Sequence, residues 1–524
     1  MTFSRLTSPL SDRASLAVCA ACALLVTGIL FALTATTPLS LADEGWHWHA
    51  SVHTAQGEIP LRDFQSYDPG RYYWFAAWML AFGPGIETLR LATAAATAIG
   101  LFAALLVVRR VHASPLALMA MATLLALSVR DRFEAATCVI GLWLAVRLLE
   151  QPTMRRHIIA GIGVGLAGFI GRNVGVYNGI ASLIAVLIVW LKTAPSKAPQ
   201  GLAWLGVGAL IGYAPALLLM ALAPGFAASL IDSVALLWRL GRVSLVLPIA
   251  WPWVGDIAGG AGEGGLTARG IGWLLIMMPV LYGAWIVGAL RARREDVGRV
   301  AVQAACGLFG MAYLHYVFGR ADMPHLTASI YPFLLGLWAM LVIRLGKLIR
   351  SATARKIALA ASALVVIVPA LALVAAMIWA ARPGQVVRAR LPGGDVWLTP
   401  AQAESFEILN RVVLPHMKPG ETLMAAPFMP GLYPALGRKS PLWETYFFWP
   451  AFEDYQLEMI DTMKRQQVNW AIVSDVALDG MDERRFSATH PLVWRYIQDN
   501  FKPLNPPVTV FGDYQVLRRS AASP

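Results

Sequence analysis

From Ala14 to Leu33 the chain runs for about twenty residues without a charged side chain, and comparable runs recur as far as about residue 381. A run of that length spans the roughly 30 Å hydrocarbon core of a bilayer as a helix, the local structure that satisfies its own backbone polar groups in lipid. With 57% hydrophobic and 14% charged residues in 524, and a mean hydropathy of +0.58, there is too little polar surface for a water-soluble protein of this size. The fold class expected is therefore a polytopic α-helical membrane protein. A net charge of +12 could suggest nucleic acid, but the basic residues come in short clusters between apolar runs, as the positive-inside rule distributes them. Cys19, Cys22, Cys138 and Cys306 all lie within apolar runs and read as small core residues, not as a disulfide framework or a thiolate zinc site.

Arg5 and Arg13, the first apolar run and "SLA" before Asp43 together imitate a secretory signal cleaved after Ala42. The length of the run favours a retained first transmembrane helix. Basic clusters then mark cytoplasmic ends: Arg109-Arg110, Arg155-Arg156, Lys192 with Lys197, Arg291 through Arg299, and Arg344 through Lys356. Neighbouring clusters must enclose an even number of crossings. This yields hairpins at 114–129 with 133–149, turning outside through Arg130, Asp131, Arg132 and Glu134, and at 157–191, turning at Arg172 and Asn173. Runs 201–223 and 271–290 form the next pair, joined by an outer interfacial stretch at about 224–269 that contains the amphipathic "FAASLIDSVALLWRLGRV", with Asp232, Arg239 and Arg242 among apolar residues. Runs 300–318 and 327–344 are joined by "GRADMPH", and a last crossing is expected at 357–381. The total is about eleven crossings, with the N-terminus inside and the C-terminus outside.

The expected domains are a transmembrane domain, 1–382, with a first outer loop at about 38–82, and a soluble α/β domain, 383–524, on the outer side. The latter alternates helix-like segments near 400–413, 452–467 and 490–500 with strand-like "TLMAAPF", "WAIVSD" and "YQVLRR". No internal repeat or Gly-rich phosphate loop is present, so a nucleotide-binding cassette is not supported. The parity count puts Asp43, Glu44, Asp63, Asp68, Arg71, Arg172, Arg320, Asp322 and His325 on one face, the outer one, while carboxylates are scarce in the cytoplasmic loops.

Several motifs carry a resemblance. A first helix is followed by the acidic pair Asp43-Glu44; the outer loop "GEIPLRDFQSYDPGRYYW" carries Gly57, Pro60, Pro69 and Gly70 before Tyr73 and Trp74; Phe82, Gly83 and Arg90 lead into the second helix. With "GRADMPHL" and the C-terminal α/β domain, this resembles the GT-C superfamily of integral-membrane glycosyltransferases from end to end, in particular the branch of protein mannosyltransferases and lipid A aminoarabinose transferases (glycosyltransferase families 39 and 83). "DPGR" stands where the aminoarabinose transferases tend to have a Lys-Pro-Pro turn.

The resemblance implies a GT-C fold and transfer of a sugar from a polyprenyl-phosphate carrier to an acceptor on the outer face of a bacterial inner membrane, the acceptor being lipid A, an envelope glycan or a protein. Asp43 matches the family position of the general base, and Glu44 is the second candidate. The chemistry agrees: an acceptor hydroxyl attacking an anomeric carbon needs a carboxylate in hydrogen-bond reach. A phosphate leaving group needs positioned cations, for which Arg172, Arg320, His325 and Arg71 are the candidates. A single base opposite that leaving group favours inversion. Arg172 lies between two short apolar segments, where an unsolvated guanidinium would cost about 2.5–3.5 kcal/mol at bilayer depth, and so is expected to face a polar cavity. Asp63, Asp322 and Tyr67 are candidates for acceptor contact or support, and Asp68 before Pro69 reads as turn chemistry.

His49 and His53 have the i, i+4 spacing of a helical metal pair, but Trp46 and Trp48 interleaved beside them and His47 favour an interfacial aromatic role. No cofactor is required by this reading; a divalent cation, used in some GT-C branches, is compatible with it. Two other classes fit the hydropathy. A secondary transporter would show related halves and broken helices near the midplane, and a non-catalytic envelope assembly protein would need no general base.

Overall fold

The computed structural model describes residues 10–128, 133–193, 198–241, 245–254, 265–349, 351–358, 385–418 and 420–520, with isolated positions between 360 and 371. They form two compact units, Met1–Leu33 with Thr93–Met377, and Thr34–Ala92 with Ile378–Pro524.

The first unit is a bundle of apolar helices. Among the described residues six helices are long and apolar enough to cross a membrane: Asp12–Thr34, Ile86–Val111, Arg172–Lys192, Pro199–Leu222, Arg269–Arg291 and Arg294–Gly319. Met323–Ser329 and Tyr331–Arg344 add a seventh if counted as one span, bent by 52°. That break lies just before Pro332, whose ring removes an amide donor and crowds the preceding turn. The protein is thus multi-pass. The expected count of about eleven is matched only in part. Pro115–Ser128 is apolar but only 14 residues long. Phe133–Glu150 and Met154–Ile170 are helical but carry Glu134, Arg147, Arg155 and Arg156, and are not among the long apolar spans. The expected crossing at 357–381 lies largely outside the described residues, as do Arg130, Asp131, Arg132 and Arg242.

Within the bundle all four cysteines are buried and unpaired, as their apolar surroundings imply. Polar side chains join helices in the interior: Asn178 donates to the Tyr313 hydroxyl (2.8 Å), and the Tyr177 hydroxyl meets His315 Nδ1 (2.8 Å). Met154–Ile170 and Ala198–Leu222 meet through glycines at the same spacing, Gly161 with Gly165 against Gly208 with Gly212. A Cβ on Gly161 would lie 2.1 Å from the Leu205 carbonyl oxygen, and one on Gly212 would lie 2.2 Å from that of Ile162. Helices in lipid gain little from apolar contact alone, so such close backbone approach supplies the packing. The amphipathic segment forms the helix Phe226–Leu240, ended on both sides by glycines with positive φ.

In the second unit the expected outer loop is mostly helical. Asp43–Ala55 opens on two carboxylates, favoured at the positive end of a helix, and ends ahead of Gly57, at φ +93°. Gly70–Phe82 starts after Pro69 and stops at Gly83. The α/β part holds the helices Pro400–Val412, Glu453–Arg465 and Pro491–Asn500 at the expected places. Its five-stranded sheet contains β3 (Met424–Ala426), β4 (Trp470–Val473), β5 (Phe501–Pro503), β6 (Thr509–Val510) and β7 (Tyr514–Arg519). The order is β3-β4-β7-β5 with β6 also on β7, and β3 and β4 are parallel while β7 runs antiparallel to β4, β5 and β6. A separate hairpin of β1 (Val387–Leu391) and β2 (Gly394–Leu398) turns through Pro392-Gly393. The segment 34–92 is joined to this part by main-chain bonds, Leu39 N–H to the Trp397 carbonyl (2.7 Å) and Gly431 N–H to the Leu41 carbonyl (2.9 Å).

Gly212→Ala is expected to lower the melting temperature of the detergent-solubilised protein, at a cost of about 1–3 kcal/mol for overpacking. Gly206→Ala on the same helix, where a Cβ meets nothing within 4 Å, is expected not to lower it in parallel thermal unfolding, since Ala is the better helix former.

Candidate active site

The acidic pair sits in the first turn of Asp43–Ala55, and its two members face different partners. Arg90 Nε donates to Glu44 Oε1 (2.7 Å) and Nη2 to Oε2 (2.9 Å) in a bidentate pair. The same guanidinium donates through Nη1 to the carbonyls of Ala35 (2.8 Å) and Thr37 (2.9 Å), and Glu44 also accepts from Ser40 N–H (3.3 Å). Glu44 is thereby committed to holding the chain that leads into its own helix. Asp43 is exposed, and its Oδ1 accepts from the Tyr446 hydroxyl (2.8 Å). Gly45, the next residue, lets the helix end rest on Gly431; a Cβ there would lie 2.5 Å from the Gly431 Cα.

Tyr446 is held from two sides. Gln65, itself buried, accepts through Oε1 from the amides of Thr445 (3.1 Å) and Tyr446 (2.9 Å) and donates through Nε2 to the Tyr446 carbonyl (3.2 Å). The Tyr446 ring packs edge-on against Trp46 (5.4 Å between centroids), Phe428 (5.8 Å) and Phe448 (5.0 Å). Burial, and then the Asp43 carboxylate, raise the Tyr446 pKa far above the ordinary phenol value, so the hydroxyl keeps its proton and donates.

The other candidates in this unit lie close by in sequence but do different things. Asp63 pairs with Arg62 through both oxygens (2.8 and 2.9 Å) and accepts the Ile59 amide (2.7 Å), which closes a tight turn. The Arg62 hydrogen bonds hold its pKa below the usual carboxylate value against partial burial. Tyr67 packs on Trp46 (4.6 Å between centroids) and carries the buried Arg71 guanidinium over its ring at 4.8 Å. Asp68 is also buried, and the turn is fixed by Tyr67 N–H donating to the Tyr72 hydroxyl (3.1 Å).

His49 and His53 share the helix Asp43–Ala55, with ring centroids 4.3 Å apart. Both are buried, against Phe64 and, for His49, Tyr433, so they fill the interior of the unit. The interfacial reading of these rings is corrected: a headgroup layer would need them exposed. His53 Nδ1 meets Glu58 Oε2 at 2.8 Å, and Glu58 also pairs with Lys439. Among the described residues no three His, Cys, Asp or Glu side chains are grouped to hold a metal ion.

The candidate cations of the membrane bundle form two separate groups. Arg172 begins its helix directly after Gly171, and its Nη1 donates to the Ser233 hydroxyl (2.8 Å) on Phe226–Leu240. Arg320, Asp322 and His325 form a triad. Arg320 Nε donates to Asp322 Oδ2 (2.6 Å), Asp322 Oδ1 meets His325 Nδ1 (2.6 Å) and accepts its amide (3.0 Å), and Arg320 Nη1 donates to the Leu245 carbonyl (3.1 Å). Burial alone would raise the Asp322 pKa, but hydrogen bonds and charge from His325, with Arg320, outweigh it and bring it to about 2. Two of the cations assigned to a phosphate therefore share a carboxylate here.

In the sequence Arg90 stands out only as part of a motif, and nothing local marks Tyr446 or Gln65. The partners are 46 positions apart for Glu44 and Arg90 and 403 for Asp43 and Tyr446, so no local spacing points to either.

The chain combines a multi-pass helical domain with a sheet-containing C-terminal domain, and this fold, the GT-C fold, is shared with a solved structure. It aligns with the crystal structure of ArnT from Cupriavidus metallidurans bound to undecaprenyl phosphate over 98% of this chain and 100% of that one, with a TM-score of 0.55 and 14% identity. An oligosaccharyltransferase from Archaeoglobus fulgidus, solved with zinc and sulfate, aligns over 87% of this chain and 67% of that one, with a TM-score of 0.42 and 12% identity. No family model and no curated protein matches the sequence.

Arg90→Met is expected to lower the melting temperature, since it removes four hydrogen bonds from a guanidinium, each worth about 1.5–3 kcal/mol to a charged group before relaxation. Arg90→Lys is expected to recover little of this, because an ammonium cannot reproduce the fork. A pH dependence follows from the histidines. Burial, then the nearby His53 and Lys439, hold the His49 pKa well below 6.5, and burial lowers that of His53 despite Glu58. Below 6.5 the unfolded chain binds more protons than the folded one, so the stability contributed is complete above that value and is lost as pH falls toward the folded-state pKa. The melting temperature is expected to drop between about pH 7 and 5, and His49→Phe to flatten the drop, read by thermal unfolding across that range.

Proposed function

We propose that this protein is a glycosyltransferase of the bacterial inner membrane that moves a sugar from a polyprenyl-phosphate carrier to an envelope acceptor, with Asp43 as general base. The observation that carries the reading is the division of the acidic pair: Glu44 is consumed by Arg90, while Asp43 stays exposed with one oxygen held by Tyr446. The fold shared with ArnT, a protein solved with undecaprenyl phosphate, supports the donor class. The acceptor hydroxyl gives its proton to Asp43 as its oxygen forms a bond to the anomeric carbon. The bond from that carbon to the phosphate oxygen breaks, and the polyprenyl phosphate leaves with the electron pair. Attack opposite the leaving group inverts the anomeric centre. Arg172, Arg320, His325 and Arg71 are assigned to the phosphate charge, with Asp63, Tyr67 and Asp322 as support. Lipid A, an envelope glycan or a protein side chain can each supply the hydroxyl, and the N-terminus is assigned to the cytoplasm and the α/β part to the periplasm.

Mass spectrometry of envelope lipids and glycans from cells with and without the protein is expected to show a species that differs by one sugar. Asp43→Asn, expressed at wild-type level, is expected to lose it, because removing a general base costs roughly 10²–10⁴ in rate. Full retention of the sugar-bearing species by that variant would overturn Asp43 as the base.

A further inference from the structure

We propose that Tyr446 is the positioning residue for Asp43: it occupies Oδ1 and aims Oδ2 at the acceptor hydroxyl, so the α/β part of the chain sets the geometry of the base. This rests on the assignment of Asp43 as the base. An exposed carboxylate at a helix end samples several rotamers, and a base is effective only within hydrogen-bond reach of the proton it takes. The Tyr446 hydroxyl, 2.8 Å from Oδ1, removes that freedom. Among the described residues no partner falls on Oδ2, which is the oxygen that would accept the proton.

The support for Tyr446 is more extensive than an incidental surface contact would need. Gln65 makes three hydrogen bonds from its side-chain amide to the main chain of Thr445 and Tyr446. Gln65 is tied in turn through its own amide to the Trp443 carbonyl (2.8 Å), and its carbonyl accepts from Trp46 Nε1 (3.1 Å). Trp46 sits three residues after Asp43 on the same helix, so the base and its donor are referenced to one buried frame. Three aromatic edges fix the ring. A phenol that keeps its proton at physiological pH can act here as a donor and does not compete for the acceptor's proton.

The test compares full-length wild type, Tyr446→Phe and Asp43→Asn. The readouts are the rate at which the one-sugar species appears after induction, binding of undecaprenyl phosphate to the purified protein, and the melting temperature. Tyr446→Phe keeps the ring and deletes only the hydroxyl. It is expected to slow sugar transfer roughly 10- to 100-fold, as misplacement of a reacting group does, while carrier binding and melting temperature stay at wild-type values. A wild-type transfer rate in Tyr446→Phe, with Asp43→Asn inactive, would overturn the positioning role alone. Loss of transfer in step with carrier binding or melting temperature would make Tyr446 a structural residue and overturn it too. Full activity in Asp43→Asn would overturn the base assignment beneath it.

Discussion

The Arg90 guanidinium ties the start of the helix Asp43–Ala55 to the chain that leads into it. It grips Glu44 with two charge-assisted bonds and takes the carbonyls of Ala35 and Thr37 with a third nitrogen. Those carbonyls belong to the chain that has just left the first apolar helix, where no regular structure satisfies them. One planar fork therefore fixes the approach to the helix and its first turn together. Arg is suited to this because its donors are rigidly spaced, and the low exposure of the pair, 11% and 26%, limits screening by water. The direction of Asp43 follows, since it precedes Glu44 on the same turn.

The segment 34–92 is built into the C-terminal part and is more than a linker between membrane helices. Trp46 packs beside Tyr446, Gln65 clamps residues 445–446, and Leu39 pairs with Trp397 of β2. Buried polar groups need partners, and here the loop's amides and the α/β part's amides satisfy one another. That mutual satisfaction makes the α/β part a source of contacts to the acidic pair. Its sheet core of Met424, Ala471, Val473 and Leu517 supplies the rigidity behind those contacts.

Hydropathy was enough to read the class of the protein, because a twenty-residue apolar run has few ways to satisfy its backbone in lipid. The α/β helices and the strands β3, β4 and β7 were equally legible, since periodicity and flanking turn residues agreed. Crossing number was less so. Met154–Ile170 begins with Arg155 and Arg156 and is followed after Gly171 by a helix beginning with Arg172, so charge placed within helices blurs the ends that parity counts. The helices within residues 38–82 also have their signals in the sequence: acids in a first turn, Gly57 at one helix end and Gly83 at another. The glycine spacing Gly161-Gly165 and Gly208-Gly212 was also in view and marks close helix contact. Tyr446 was not legible, because its role depends on a contact between residues 403 positions apart.

The acidic pair shows why site residues resist reading by composition. Asp43 and Glu44 have the same chemistry and are neighbours in the sequence. Consecutive residues on a helix point about 100° apart, so the two cannot serve one site from the same turn. Which of them is available is decided by what stands on each side. Glu44, one methylene longer, reaches Arg90; Asp43, shorter and first in the helix, stays at the edge, where a tyrosine holds one oxygen. A carboxylate locked in a bidentate ion pair has neither oxygen free to accept a proton without first breaking charge-assisted bonds. One bound by a single neutral donor keeps the other oxygen for chemistry. The difference between structural acid and candidate base in this protein is therefore a difference in partners, set by Arg90 and Tyr446.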